Sequence, residues 1–263
     1  MNNSDLGRVQ AYLLRHRYAE TKSARRNISK EERDVATMLR DADTSMRTLL
    51  EEIFDGQGLE LKSFNEFEAA GIPLGATVFV LARKPDFSPT FFGTEKLIAR
   101  MRQVRRGIGS DAEAKIWFIQ LWFILLDLLY TRKSRGPNAL QDWVETSFAK
   151  NVFVDVVKEY INDHVRKIDP STLRTDAVYK VLTNTELKEG TVSQLCNAFL
   201  ELMVDAGLLD LVGQDSYRQT LLFAYEMKMN YDRQLAKLLP NADPYLSAST
   251  LLLVETESEV EEY

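Results

Sequence analysis

The chain holds one cysteine, Cys196, and two histidines, His16 and His164, among its 263 residues. A single thiol excludes an internal disulfide and any cysteine-based zinc site. The two histidines stand far apart and show no metal-ligand spacing. Glycine (12) and proline (7) are too scarce for a low-complexity chain. Neither GxxxxGK(S/T) nor GxGxxG occurs, so no glycine-rich phosphate cradle is expected, and no cofactor. Long apolar runs are limited to Ile116–Tyr130. That run is shorter than the roughly 20 residues of a membrane span and contains Gln120 and Asp127, so it reads as a core helix. No membrane partner is expected. Met1–Asp5 shows no basic stretch leading into an apolar one, so no signal peptide is expected. With a lone thiol, this points to a cytoplasmic location.

Hydrophobic residues make up 45% of the chain and charged residues 27%, enough apolar material for a sizeable core. The net charge of −6 argues against a free-standing nucleic-acid binder. The charge is uneven, however. Residues 1–110 hold 18 Lys and Arg against 15 Asp and Glu, and the remainder hold 15 against 24. Glu255, Glu257, Glu259, Glu261 and Glu262 crowd the last nine residues, which reads as a solvated acidic tail over 241–263.

Periodicity predicts a first helix over 5–17, with Val9, Tyr12 and Leu13 on one face. Ser29 and Glu32 form a capping-box pattern opening a second helix. Met46, Leu49, Leu50, Ile53 and Phe54 stripe a third over 44–54, which Gly56 is expected to end in the left-handed conformation. The pattern then alternates over 59–62 and 77–83, as in a β-hairpin. Three helices followed by a hairpin is the winged-helix order. The segment 84–93 contains Pro85 and Pro89 and marks a domain boundary. A basic helix is expected over 94–106 and a helix buried on nearly all sides over 111–130. Further helices are expected over 139–148, 151–167 and 171 or 172 to 182. Thr191 and Gln194 repeat the capping-box pattern, and Gly207 stops that helix. Strands over 208–212 and 217–225 then make a second hairpin. The reading is a mainly α protein with small β-hairpins (α+β), two winged-helix domains joined by a helical middle segment. Its divisions are 1–84 (first winged helix), 85–110 (linker and basic helix), 111–240 (helical segment and second winged helix) and the tail 241–263.

Basic clusters mark candidate phosphate contacts: Lys22, Arg25 and Arg26; Arg100, Arg102, Arg105 and Arg106; Lys133 and Arg135. Each is also what a solvated helix face or a helix end offers. Phe87, Phe91, Phe92 and Trp143 are candidate partner anchors. The outward faces of the two recognition-type helices carry Ser45, Arg47, Glu51 and Glu52, then Ser193, Gln194, Asn197 and Glu201. One cation against three acids is poor equipment for reading a major groove. Cys196 sits on an apolar helix face and reads as core. Glu60-Leu-Lys62 matches a nuclease tripeptide, but Glu113-Ala-Lys115, Glu186-Leu-Lys188 and Glu226-Met-Lys228 match it equally. A nuclease is therefore the least favoured class.

Tyr12–Glu20 (YLLRHRYAE), Met46–Lys62 (MRTLLEEIFDGQGLELK) and Leu195–Val212 (LCNAFLELMVDAGLLDLV) resemble the MukE and MksE tandem winged-helix subunits of condensin-like SMC complexes. The middle, with its long apolar helix and Arg135–Trp143 (RGPNALQDW), departs from MukE and is closer to a divergent defence-system subunit of the Wadjet or Lamassu kind. The resemblance implies a non-enzymatic accessory subunit. Its partners would be an SMC-like ATPase or a kleisin-type chain, with non-specific DNA, a homodimeric partner copy and a separate effector nuclease as further associates. A winged-helix transcriptional regulator is the alternative.

Overall fold

The computed structural model describes residues 2–84, 94–104, 108–131, 143, 146–168, 176–183 and 189–235. Helix α1 (Asn3–His16) opens with a reciprocal cap. The Asn2 side chain accepts from the Asp5 N–H at 2.9 Å, and the Asp5 carboxylate accepts from the Asn2 N–H at 3.0 Å. It closes at Arg17, whose φ of 61° is left-handed. Strand β1 (Tyr18–Glu20) follows, then α2 (Lys30–Arg40), α3 (Thr44–Asp55) and the hairpin β2 (Leu59–Phe64) and β3 (Val78–Arg83). Ser29 caps α2 by accepting from the Glu32 N–H at 3.0 Å. The Glu32 carboxylate, however, turns to the Glu20 N–H and the Arg26 guanidinium. Gly56 is right-handed, contrary to expectation. The turn places Gly58 (φ 70°) where the positive angle is needed.

The second half begins with α4 (Thr94–Arg102) and α5 (Asp111–Leu126), which runs on as a π-helical turn to Thr131. Then come β4 (Ser147–Ala149), α6 (Lys150–Glu159) with its π-helical extension to Val165, α7 (Ala177–Leu182) and α8 (Glu189–Asp205). The hairpin β5 (Leu209–Val212) and β6 (Ser216–Gln219) leads into α9 (Leu221–Leu235). Four expectations change here. Ser147 and Phe148 are strand, paired with Arg218 and Tyr217, and not the end of a helix. Thr191 lies inside α8, so it caps nothing. The strand expected to run through Tyr225 stops at Gln219, because the Thr220 hydroxyl accepts from the Phe223 N–H at 3.1 Å and starts a helix. Helix α5 is open on one side, where Ile119 and Phe123 are exposed. Among the described residues, no helix is long and apolar enough to cross a membrane.

Both sheets are antiparallel and three-stranded, and they share one topology. Their orders are β1-β3-β2 and β4-β6-β5. In each, a three-residue strand comes first, helices follow, and a hairpin closes by laying its second strand against the first. The protein is mainly helical with small antiparallel sheets. Strand β3 is buried on both faces. Phe79 and Leu81 pack with α1, α2 and α3, whereas Val78, Val80 and Ala82 join a core reaching through α5, α6, α8 and α9. The alternation of one strand thus fuses the halves.

An ion network crosses the same seam. The Arg17 guanidinium donates to the carbonyls of Leu81 (3.2 Å) and Ala206 (3.3 Å) and to the Glu226 carboxylate. Both side chains of this pair are 3% exposed. Arg83 donates its backbone N–H (2.8 Å) and its guanidinium (3.2 Å) to the same carboxylate. Burial pulls the Arg17 pKa down, and Glu226 opposes it. The Tyr225 hydroxyl adds a bond to Glu60 at 2.8 Å. Losing one partner of a buried pair strands the other charge, at about 3–5 kcal/mol. We predict that Glu226→Gln lowers the urea unfolding free energy by about that amount. Lys84→Ala, which removes an exposed pair with Asp55, should cost under about 1 kcal/mol. Equal effects of the two variants would contradict the network's role.

Candidate functional site

Among the described residues, the basic candidates do not form one electropositive surface. Lys22 is exposed. Arg25 lies over the Trp143 ring, 4.2 Å from its centroid. Arg26 pairs with Glu20 and Glu32, two buried carboxylates, which compensates its charge. Arg100 pairs with Glu201 and Arg102 with Asp111. Arg105, Arg106, Lys133 and Arg135 lie outside the described residues, as do Phe87, Phe91 and Phe92. Trp143 is not an outward anchor. It is buried, and its indole N–H donates to the Ala70 carbonyl at 3.1 Å, so it holds the β2–β3 loop.

The outward face of α3 is as expected: Ser45, Arg47, Glu51 and Glu52 are all exposed. Its one cation, Arg47, reaches back to the carbonyls of Leu39 and Arg40 at 3.4 Å, the end of α2. On α8, Gln194 and Glu201 are exposed while Ser193 and Asn197 are half-buried. In the β2–β3 loop, Phe67 and Leu74 are 84% and 82% exposed. The loop is tied by acids: Glu68 accepts from the Asn65 N–H (3.0 Å) and Glu66 from the Gly75 N–H (3.2 Å). Single exposed apolar residues carry no periodic signal, so nothing in the sequence pattern marks this apolar, acidic tip.

A cleft lies where the last turns of α1 and α8 meet α4. It has a volume of about 510 Å³. Leu14, Leu97 and Leu202 give it an apolar floor, and Arg15, Lys96 and Arg100 stand around it against one acid, Asp205. The elements explain the mix. Two helix C-termini expose carbonyls here, and cations are favoured beside them. Arg17 reaches the cleft from beneath, tied to Glu226. The Arg100 Nε is buried with no hydrogen-bond partner among the described residues. An apolar floor with a cationic rim suits an extended ligand that is apolar and acidic in turn. Of these residues the sequence marks Lys96 and Arg100, both on the basic helix expected over 94–106. Arg15 sits in the ordinary last turn of a helix and offered no signal.

Glu60 is held by Tyr225 across the seam. Among the described residues, no group of three or more His, Cys, Asp or Glu could hold a metal ion. His16 and His164 are exposed, beside the rings of Tyr12 and Tyr160. Cys196 is core, as expected, and burial pushes its thiol up to about 12. Comparison of the chain with family models, curated proteins and solved structures finds no match in any of the three.

The raised thiol has a pH consequence. Below the unfolded value of 9.0 the thiol is protonated in both states. Above it the unfolded chain loses the proton first, so Cys196 draws stability away as pH rises from 9.0 towards about 12. Tyr12, pushed up to about 12 chiefly by burial, acts in the same direction. Iodoacetamide at pH 8 should therefore leave folded Cys196 unmodified for hours and label it within minutes in urea. Rapid labelling of the folded protein would contradict this.

Proposed function

We propose that the chain is a non-catalytic, tandem winged-helix accessory subunit of an SMC-like ATPase complex. One observation carries the reading. The order short strand, helices, hairpin, with the central strand last, occurs twice, and it is the order a winged helix would have. It supports the resemblance of the first and last thirds to MukE- and MksE-type subunits.

The charge arrangement supports protein partners as the primary ones. The α3 face is acidic, its single cation is occupied at a helix end, and the first wing presents Phe67 and Leu74 between glutamates. Apolar exposure framed by acids fits a protein surface better than a phosphate backbone. An SMC head or a kleisin-type chain is the partner proposed, with ATP hydrolysis in the partner and any nuclease in a separate effector chain. DNA contact is secondary, through the basic segments, and without sequence preference. A cytoplasmic setting and a role in plasmid or phage defence belong to the same proposal.

Affinity purification of the tagged chain from its native host, with mass spectrometry, tests the assignment. Recovery of an SMC-like ATPase is expected. The chain alone, with a discrete site in a DNA selection, would replace the reading with a transcriptional regulator. For the DNA contact, we predict weak binding to random duplex that falls steeply with salt. Arg102→Glu with Arg105→Glu should reduce the slope of log K against log salt by about 2, one unit per lost phosphate contact. An unchanged slope would make the basic helix a solvated face only.

A further inference from the structure

We infer that the cleft between α1, α4 and α8 is the docking site of the chain's own residues 251–263. Two compositions are complementary. The cleft has a floor of Leu14, Leu97 and Leu202 and a rim of Arg15, Lys96 and Arg100. Residues 251–263 read Leu-Leu-Leu-Val followed by Glu255, Glu257, Glu259, Glu261 and Glu262, with no cation. An apolar block beside an acidic block matches an apolar floor beside a cationic rim.

The spacing of the acids strengthens the match. Glu255, Glu257, Glu259 and Glu261 alternate, so an extended chain carries all four carboxylates on one edge. Each step of two residues advances about 6.5 Å, which lets successive carboxylates meet separate cations along a groove. On the receiving side, Arg15 and Lys96 have no carboxylate partner among the described residues, whereas the Arg100 guanidinium already pairs with Glu201 and leaves its Nε without a hydrogen bond.

The connection also permits it. Arg17 lines the cleft and holds Glu226, so α9 passes directly beside it. Leu235, the last residue of α9, stands nine residues beyond Glu226, about 14 Å along the helix axis. Residues 236–250 then span up to about 50 Å when extended. That is ample to return residues 251–263 to the cleft of the same molecule. The outcome is a self-occluded cleft, in which any acidic ligand must displace the tail. The proposal rests on the cleft alone and holds whichever partner the chain serves.

Zero-length carbodiimide cross-linking of the full-length protein tests this, because it joins a carboxylate to a lysine amine only in direct contact. Among the described residues, Lys96 is the one lysine lining the cleft. The expected result is a Lys96 cross-link to a glutamate within 255–262, dominant over other lysines and lost in 1 M salt. Arg15→Glu with Arg100→Glu, which leaves Lys96 in place, should lower its yield at least fivefold. Mixing ¹⁵N-labelled and unlabelled protein separates the sources. Cross-links within one isotope support the proposal, and mixed pairs would assign the cleft to a second copy and overturn it. Tail glutamates joined indifferently to exposed lysines such as Lys22 and Lys62, or unaffected by the double variant, would overturn it as well.

Discussion

A buried carboxylate between two arginines holds the protein together. Glu226 lies on α9, Arg17 at the end of α1 and Arg83 at the end of β3. Removing these charges from water costs several kcal/mol each, and Coulomb attraction offsets that only when the remaining donors are satisfied. Here they are largely satisfied. Arg17 also reaches the Leu81 and Ala206 carbonyls, and the left-handed turn at Arg17 aims it there. The network therefore fixes orientation more than it adds stability. It sets the second repeat against the first sheet in one register, and β3 buries both faces as a result.

The same economy of charge shapes the surface. Arg26 is compensated by two buried glutamates, Arg25 lies on an indole, and Arg100 and Arg102 meet carboxylates of other elements. Arg26 is thus internal bracing, whereas the Arg100 and Arg102 pairs lie at the surface. Among the described residues, what stays outward includes an acidic α3 face, the apolar tip of the β2–β3 loop and the cleft lined by Arg15, Lys96 and Arg100. These surfaces are the support for the proposal of protein partners.

Much of this was legible in the sequence where local physics decides. The stripes through Leu13, Leu50 and Phe199, the stop at Gly207 and the turn at Gly213 follow from helical period and glycine's access to positive φ. Other features depend on distant residues. Strands β1 and β4 are three residues each and form only because β3 and β6 offer an edge. The strand expected over 217–225 stops at Gln219, and the apolar stretch from Leu221 is a buried helix. Arg17 and Glu226 are 209 residues apart, and no pattern in either neighbourhood announces their meeting. Trp143 looked like an outward anchor because its burial depends on the β2–β3 loop and on Arg25, both remote in sequence.

The central claim is that two copies of one topology behave as a single body. Differential scanning calorimetry of the full-length protein tests it most directly. The account predicts one transition whose calorimetric and van't Hoff enthalpies agree. Two resolved transitions, or a van't Hoff enthalpy near half the calorimetric value, would show the halves unfolding independently and contradict it.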